Sequence, residues 1–211
     1  MKPFTLFRSA LLGLLALPLA LSAQVQPPDD PVGIATAAFF AKQFENLKAV
    51  AERQPTPETF REAMKPLAEA TPGFFGGSII DTDFVIREVY YPRDFLARGF
   101  DLKKVKQLDH FWELMRKEPT PQLSEPGHGN IVQPRLIAMR YPVLKEGQLV
   151  SVVSFFVRTE SFLEAVGLGD AKAYRITCRG VLAEEDGKLG NTPRAVTVTL
   201  PANEWLIEYV R

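Results

Sequence analysis

The apolar positions first follow a helical period and then an alternating one. Phe40, Phe44, Leu47 and Ala51 recur at i, i+4, i+7 and i+11, one face of a helix over residues 34–53. Residues 54–57 break it. Thr56 can cap a second helix with Pro57 at its first position, lined by Phe60, Met64 and Leu67 and kinked at Pro66. Thr71-Pro72-Gly73 stops it. Residues 78–80 and 84–90 then read as strands around an Asp81-Thr82-Asp83 turn. Asp101 caps a predicted helix over 102–117 with Val105, Leu108, Trp112 and Met115 as its stripe. A Pro- and Gly-bearing loop follows over 118–129, long for a connection.

The second half is β-rich. Residues 131–144 and 149–158 form a hairpin pattern around a short Gly-bearing loop, with Pro134 either weakening the first strand's start or setting it at an edge. Residues 161–166 give a short helix. Residues 172–181 read as one strand and 184–191 as a polar turn region. In 194–200, Val196, Val198 and Leu200 alternate with Thr197 and Thr199, the pattern of a half-buried strand. Residues 205–210 close the chain as a strand. Helices grouped apart from hairpins and meanders imply an α+β domain with a mainly antiparallel sheet.

The N-terminus lies outside this pattern. Lys2 and Arg8 precede twelve residues (10–21) that are mostly apolar, and Ala23 offers a small residue before Gln24. That reads as a signal peptide over 1–23 rather than a membrane anchor, since twelve such residues are too short to cross about 30 Å of hydrocarbon. Residues 24–32 read as a flexible, Pro-bearing lead-in, and residues 33–211 as one domain. No membrane span is expected once the signal is cleaved, so the localisation is periplasmic or secreted.

Composition narrows the function classes. The 211 residues carry 25 basic and 25 acidic side chains, and loss of Lys2 and Arg8 leaves 23 against 25. A nucleic-acid binder needs a basic face, so none is expected. Cys178 is the only cysteine. It reads as a buried small hydrophobe without a basic activator. His110 and His128 lack zinc-ligand spacing. Asp81 and Asp83 serve the turn, because a hard cation needs more oxygen ligands. Gly73, Gly76 and Gly77 lack the Lys-Ser/Thr of a phosphate loop and read as turn glycines. Ser124 and His128 have no orienting acid at a convincing place. No catalytic residue, metal site or cofactor is therefore expected. Phe155 and Phe156, being adjacent, point to opposite sheet faces, one of them the core.

The element order resembles a Cache domain, the extracytoplasmic relative of the PAS fold, over residues 34–210. The resemblance rests on the long N-terminal helix and on Ile79-Ile80-Asp81-Thr82-Asp83-Phe84-Val85-Ile86. It rests also on Arg140-Tyr141-Pro142-Val143 followed by Gly147-Gln148-Leu149-Val150-Ser151-Val152-Val153, and on the closing strands with Trp205. It implies a PAS-like central antiparallel sheet with a long N-terminal helix and covering helices, as a single Cache domain. The family usually has Gly where Ser151 stands. Its amine- and amino-acid-binding members often keep an Asp where Phe156 stands.

The resemblance implies a pocket between the sheet and its cover. Tyr90, Tyr91, Arg93 and Asp94 follow the second strand, while Arg135, Arg140 and Tyr141 come from the third. Arg presents a planar fork to carboxylate or phosphate, and Tyr an apolar body with one polar tip. These seven residues are the candidate ligand-binding set, with a small organic anion as the natural guest. The expected function is small-molecule binding for sensing, without catalysis, relayed to a membrane-bound signalling partner. The rival is an interaction module that forms a homodimer through the N-terminal helix and an open sheet edge. A hydrolase is the weakest alternative.

Overall fold

The computed structural model describes residues 29–91, 97–127 and 135–211. The first helix, α1, spans Pro31–Glu52. It starts earlier than the apolar period because Asp30 caps it: Oδ1 accepts from the backbone N–H of Val32 at 2.8 Å and of Gly33 at 3.3 Å. Pro31 and Val32, read as the end of a flexible lead-in, are thus its first turn. The predicted stripe is buried, and α2 follows over Phe60–Ala70 with Pro66 inside it.

The strands form two antiparallel sheets. The first has the order β2-β1-β5-β4-β3, built from β1 (Phe74–Ile80), β2 (Ile86–Tyr90), β3 (Gln122–Leu123), β4 (Leu136–Lys145) and β5 (Gln148–Arg158). The second has the order β7-β6-β9-β8, from β6 (Ala173–Cys178), β7 (Val181–Asp186), β8 (Arg194–Leu200) and β9 (Asn203–Val210). Helix α3 covers Asp109–Lys117 and α4 covers Thr159–Ala165. The architecture is α+β and PAS-like, as expected, with the later strands in a sheet of their own.

Local chemistry explains where the elements depart from the pattern. Residues 172–181 are not one strand. Arg179 and Gly180 both take positive φ, 49° and 79°. That is the two-residue hairpin turn that sends the chain back as β7, through the segment read as a polar turn. The predicted helix over 102–117 is α only from Asp109. Val105 is extended and splits the preceding stretch into two 3₁₀ turns. Asp101 does cap the first of these, accepting from Lys103 N–H at 3.0 Å. Strand β3, just two residues, lies inside the segment read as loop.

One core joins both sheets through α1. Phe40 stacks on Phe162 of α4 at 5.1 Å and meets Trp205 of β9 edge-on at 5.2 Å. On the first sheet Val153, Phe155 and Val157 face this core, and on the second Val196, Val198, Trp205 and Ile207 do. Tyr209 Oη donates to the second oxygen of Asp30 at 2.8 Å, so the residue that caps α1 also ties it to β9. The first sheet's other face carries a smaller core of Ile80, Phe84 and Val152 under Trp112 and Met115 of α3.

Candidate functional site

Alternation along the strands sets what α3 covers. Gly76, Ser78 and Ile80 of β1 share one face with Val152, Ser154 and Phe156 of β5 and with Ala138 and Arg140 of β4. One cross-strand row runs Val89, Ser78, Ser154, Arg140, Gln122, and all five are buried. Four polar side chains in a buried row are unusual, and each needs partners. The two serines satisfy each other, Oγ to Oγ at 2.7 Å. Gln122 Nε2 donates to the carbonyl of Phe111 at 3.0 Å.

Arg140 is different. It is 5% exposed, and its Nη1 has no hydrogen-bond partner among the described residues. Its guanidinium carbon lies 4.8 Å from the Phe111 ring centroid and 5.1 Å from that of Trp112. Burial lowers its pKa to about 10, against the opposing pull of the Glu125 charge. It therefore stays cationic at neutral pH. Glu125 is itself ion-paired with Arg179, whose guanidinium lies 5.2 Å from the Phe111 ring. Among the described residues its charge has no dedicated counter-ion, and a desolvated cation so placed is costly.

The sequence-based candidates divide across the sheet. Tyr91 shares the Arg140 face. It lies over Gly76, where a Cβ would overlap its ring, and stacks on Phe156 at 6.1 Å. Burial raises its phenol pKa, so it stays neutral. Tyr90 and Tyr141 face the other way and pack on the main core, Tyr90 with the Arg61 guanidinium 5.8 Å from its ring centroid. Arg135 precedes β4 and is ion-paired with buried Glu184, which also accepts from Tyr174 Oη at 3.3 Å. Arg93 and Asp94 lie outside the described residues, as does His128. Asp81 holds its turn: Oδ1 accepts from the N–H groups of Asp83 at 3.0 Å and Val85 at 2.9 Å.

Several residues of this face escaped the sequence reading. Ser78 and Ser154 did carry a signal, as lone polar side chains inside apolar strands. Gln122 carried none, because a two-residue strand has no period. Phe111 was left out of the predicted stripe, although it stands three residues after Leu108 and four before Met115.

A concave feature of about 800 Å³ lies beside the β6–β7 hairpin, lined among others by Glu125, Arg135, Cys178, Arg179, Leu182 and Glu184. Its two arginines are already matched by Glu184 and Glu125. Burial, with the Glu125 charge, raises the Cys178 thiol pKa despite Arg179, so the thiolate is disfavoured.

No family model and no curated protein matches the sequence. Solved structures do match the fold. An extracellular ligand-binding receptor from Desulfohalobium retbaense aligns with TM-score 0.63 and 16% identity over 86% of this chain, which spans 39% of that protein's length. The ligand-binding domain of the Pseudomonas aeruginosa amino acid chemoreceptor PctB, in complex with L-Arg, aligns with TM-score 0.60 and 15% identity over 83% of this chain and 88% of its own. That of the Pseudomonas fluorescens chemoreceptor CtaA, in complex with L-valine, gives 0.60 and 16% over 85% and 94%. At such identities the likeness is one of fold: the chain has the Cache-type fold of extracellular ligand-binding sensory domains.

Proposed function

We propose that this protein is an exported sensory domain that binds a small organic anion without converting it and relays occupancy to a membrane-bound partner. The observation that carries the reading is Arg140, a buried guanidinium held against two aromatic rings with Nη1 unpartnered among the described residues. A carboxylate would complete its hydrogen bonding and neutralise its charge, each ionic bond contributing about 1.5–3 kcal/mol. Tyr91 and Phe156 on the same face form the apolar wall for the rest of the ligand. The ligands of the structural neighbours support the class, since L-Arg, L-valine and the GABA of a related chemoreceptor complex all carry a carboxylate. Export rests on residues 1–23 read as a signal peptide. No helix of the described residues is long and apolar enough to cross a membrane.

The test is a thermal-shift screen of small carboxylates, amines and nucleobases on the native chain and on Arg140→Met. A carboxylate present at a hundred times its Kd should raise Tm by about 5–10 °C. The shift should fall by about half or more in the variant while its far-UV spectrum stays native, and amines and nucleobases should give none. A screen in which no carboxylate stabilises the protein defeats the reading, as does an undiminished shift in Arg140→Met.

A further inference from the structure

Three buried polar atoms under α3 have no hydrogen-bond partner among the described residues: Arg140 Nη1, Trp112 Nε1 and Gln122 Oε1. They belong to one cluster. Arg140 lies against the Trp112 ring at 5.1 Å and is paired with Gln122 in the β3–β4 register. Gln122 also reaches α3 through its bond to the Phe111 carbonyl at 3.0 Å. That bond fixes the amide, because only the NH2 end can face a carbonyl. The unpartnered end is therefore oxygen. The cluster offers two donors and one acceptor.

A carboxylate satisfies the two donors, and it has no proton for the acceptor. Taking the anion reading of Arg140 as its basis, we infer that the ligand carries a neutral hydrogen-bond donor beside its carboxylate and that Gln122 Oε1 accepts from it. Short hydroxy acids are the simplest such class. The donor is neutral because, among the described residues, an ammonium beside Arg140 would meet only neutral acceptors and, in Glu125, a carboxylate already ion-paired. Phe156, on the same face, is aromatic. Glu125, whose charge reaches Arg140, is ion-paired with Arg179. A second cation beside Arg140 would add like-charge repulsion in a desolvated place. A plain acid would leave Gln122 Oε1 buried without a partner, a loss of about 5- to 150-fold in affinity.

Isothermal titration of the native chain with matched sets decides this. One set is lactate, alanine, pyruvate and propionate; the second is malate, aspartate and succinate; the third is 2-hydroxyisocaproate, leucine and 4-methylvalerate. In at least one set the hydroxy acid should bind about 5- to 150-fold more tightly than the parent acid, and more tightly than the amino acid. Gln122→Met should erase that preference, while Trp112→Phe should weaken both acids alike. The preference is read in the native chain, so the inference stays testable if a variant does not fold. Equal binding of hydroxy and parent acids overturns it, with bound water then serving Gln122. Preference for the amino acid also overturns it. Both results leave the anion reading standing, whereas failure of every acid to bind defeats that reading as well.

Discussion

Arg140→Met separates a structural arginine from a binding one by the sign of its effect on stability. In the ligand-free protein the guanidinium has been taken out of water, a penalty of several kcal/mol for a buried ion. What offsets it is visible. Two aromatic rings lie within 5.1 Å, each contributing about 2 kcal/mol when desolvated, and Nη1 has no bond among the described residues. Methionine has a similar reach and no charge, and its sulfur keeps favourable contacts with Phe111 and Trp112 worth about 0.3–1.5 kcal/mol each. The removed penalty and the lost ring contacts are of similar size. The variant should therefore lie within about 1 kcal/mol of wild type, or above it. Anion affinity should fall by about 10- to 150-fold, the factor that matches one ionic hydrogen bond. Urea unfolding followed by circular dichroism measures the first quantity, and calorimetric titration with the best carboxylate measures the second. A loss of more than about 3 kcal/mol would mean that Arg140 is a satisfied structural cation, since that is the scale of breaking a buried ion pair. With unchanged binding, that result would refute the reasoning.

Two further outcomes test the scaffold. Phe40 is fully buried between Phe162 and Trp205, so Phe40→Ala should destabilise by about 3–5 kcal/mol in chemical denaturation, and a loss below about 1 kcal/mol would contradict α1's role in joining the sheets. Partial burial pushes the Asp81 carboxyl up, but bonds from Val85 N–H, the Arg87 guanidinium and Asp83 N–H hold it below the usual carboxylate range. Its folded pKa is thus below its unfolded value of about 3.9, so its stabilisation is full above that pH and fades as pH falls through the folded pKa. Asp81→Asn, which loses the charge facing half-exposed Arg87, should cost about 0.5–1 kcal/mol between about pH 5 and 8 and progressively less below about pH 4. A gap that widens in acid would show the sign to be wrong.

Much of the scaffold was legible because local chemistry and tertiary packing agree there. The stripe of α1 is buried as its period requires, and the alternation of β8 puts Val196, Val198 and Leu200 inward. Phe155 and Phe156 face opposite sides, one in the main core and the other against Tyr91. The misreadings came where one or two residues decide. Nothing in composition separates a strand over 172–181 from two strands joined at Arg179-Gly180, because the turn depends on backbone angles that a non-glycine residue seldom takes.

The site shows where sequence stops. The sequence reading put Arg140 and Tyr141, and likewise Tyr90 and Tyr91, in one candidate set, although side chains alternate with period two and so point to opposite faces of a strand. By itself the sequence determined that arginine and tyrosine suit an organic anion. It did not determine which face α3 would cover, nor that β3 would flank β4 and remove Arg140 from the edge where it would have been solvated. Those depend on contacts between segments far apart in the chain: Gln122 with Arg140, Ser78 with Ser154, and α3 over both. Burial is a property of such assemblies. Only the tertiary structure turned Arg140 from a surface charge into a desolvated cation, and desolvation is what makes it a candidate for binding.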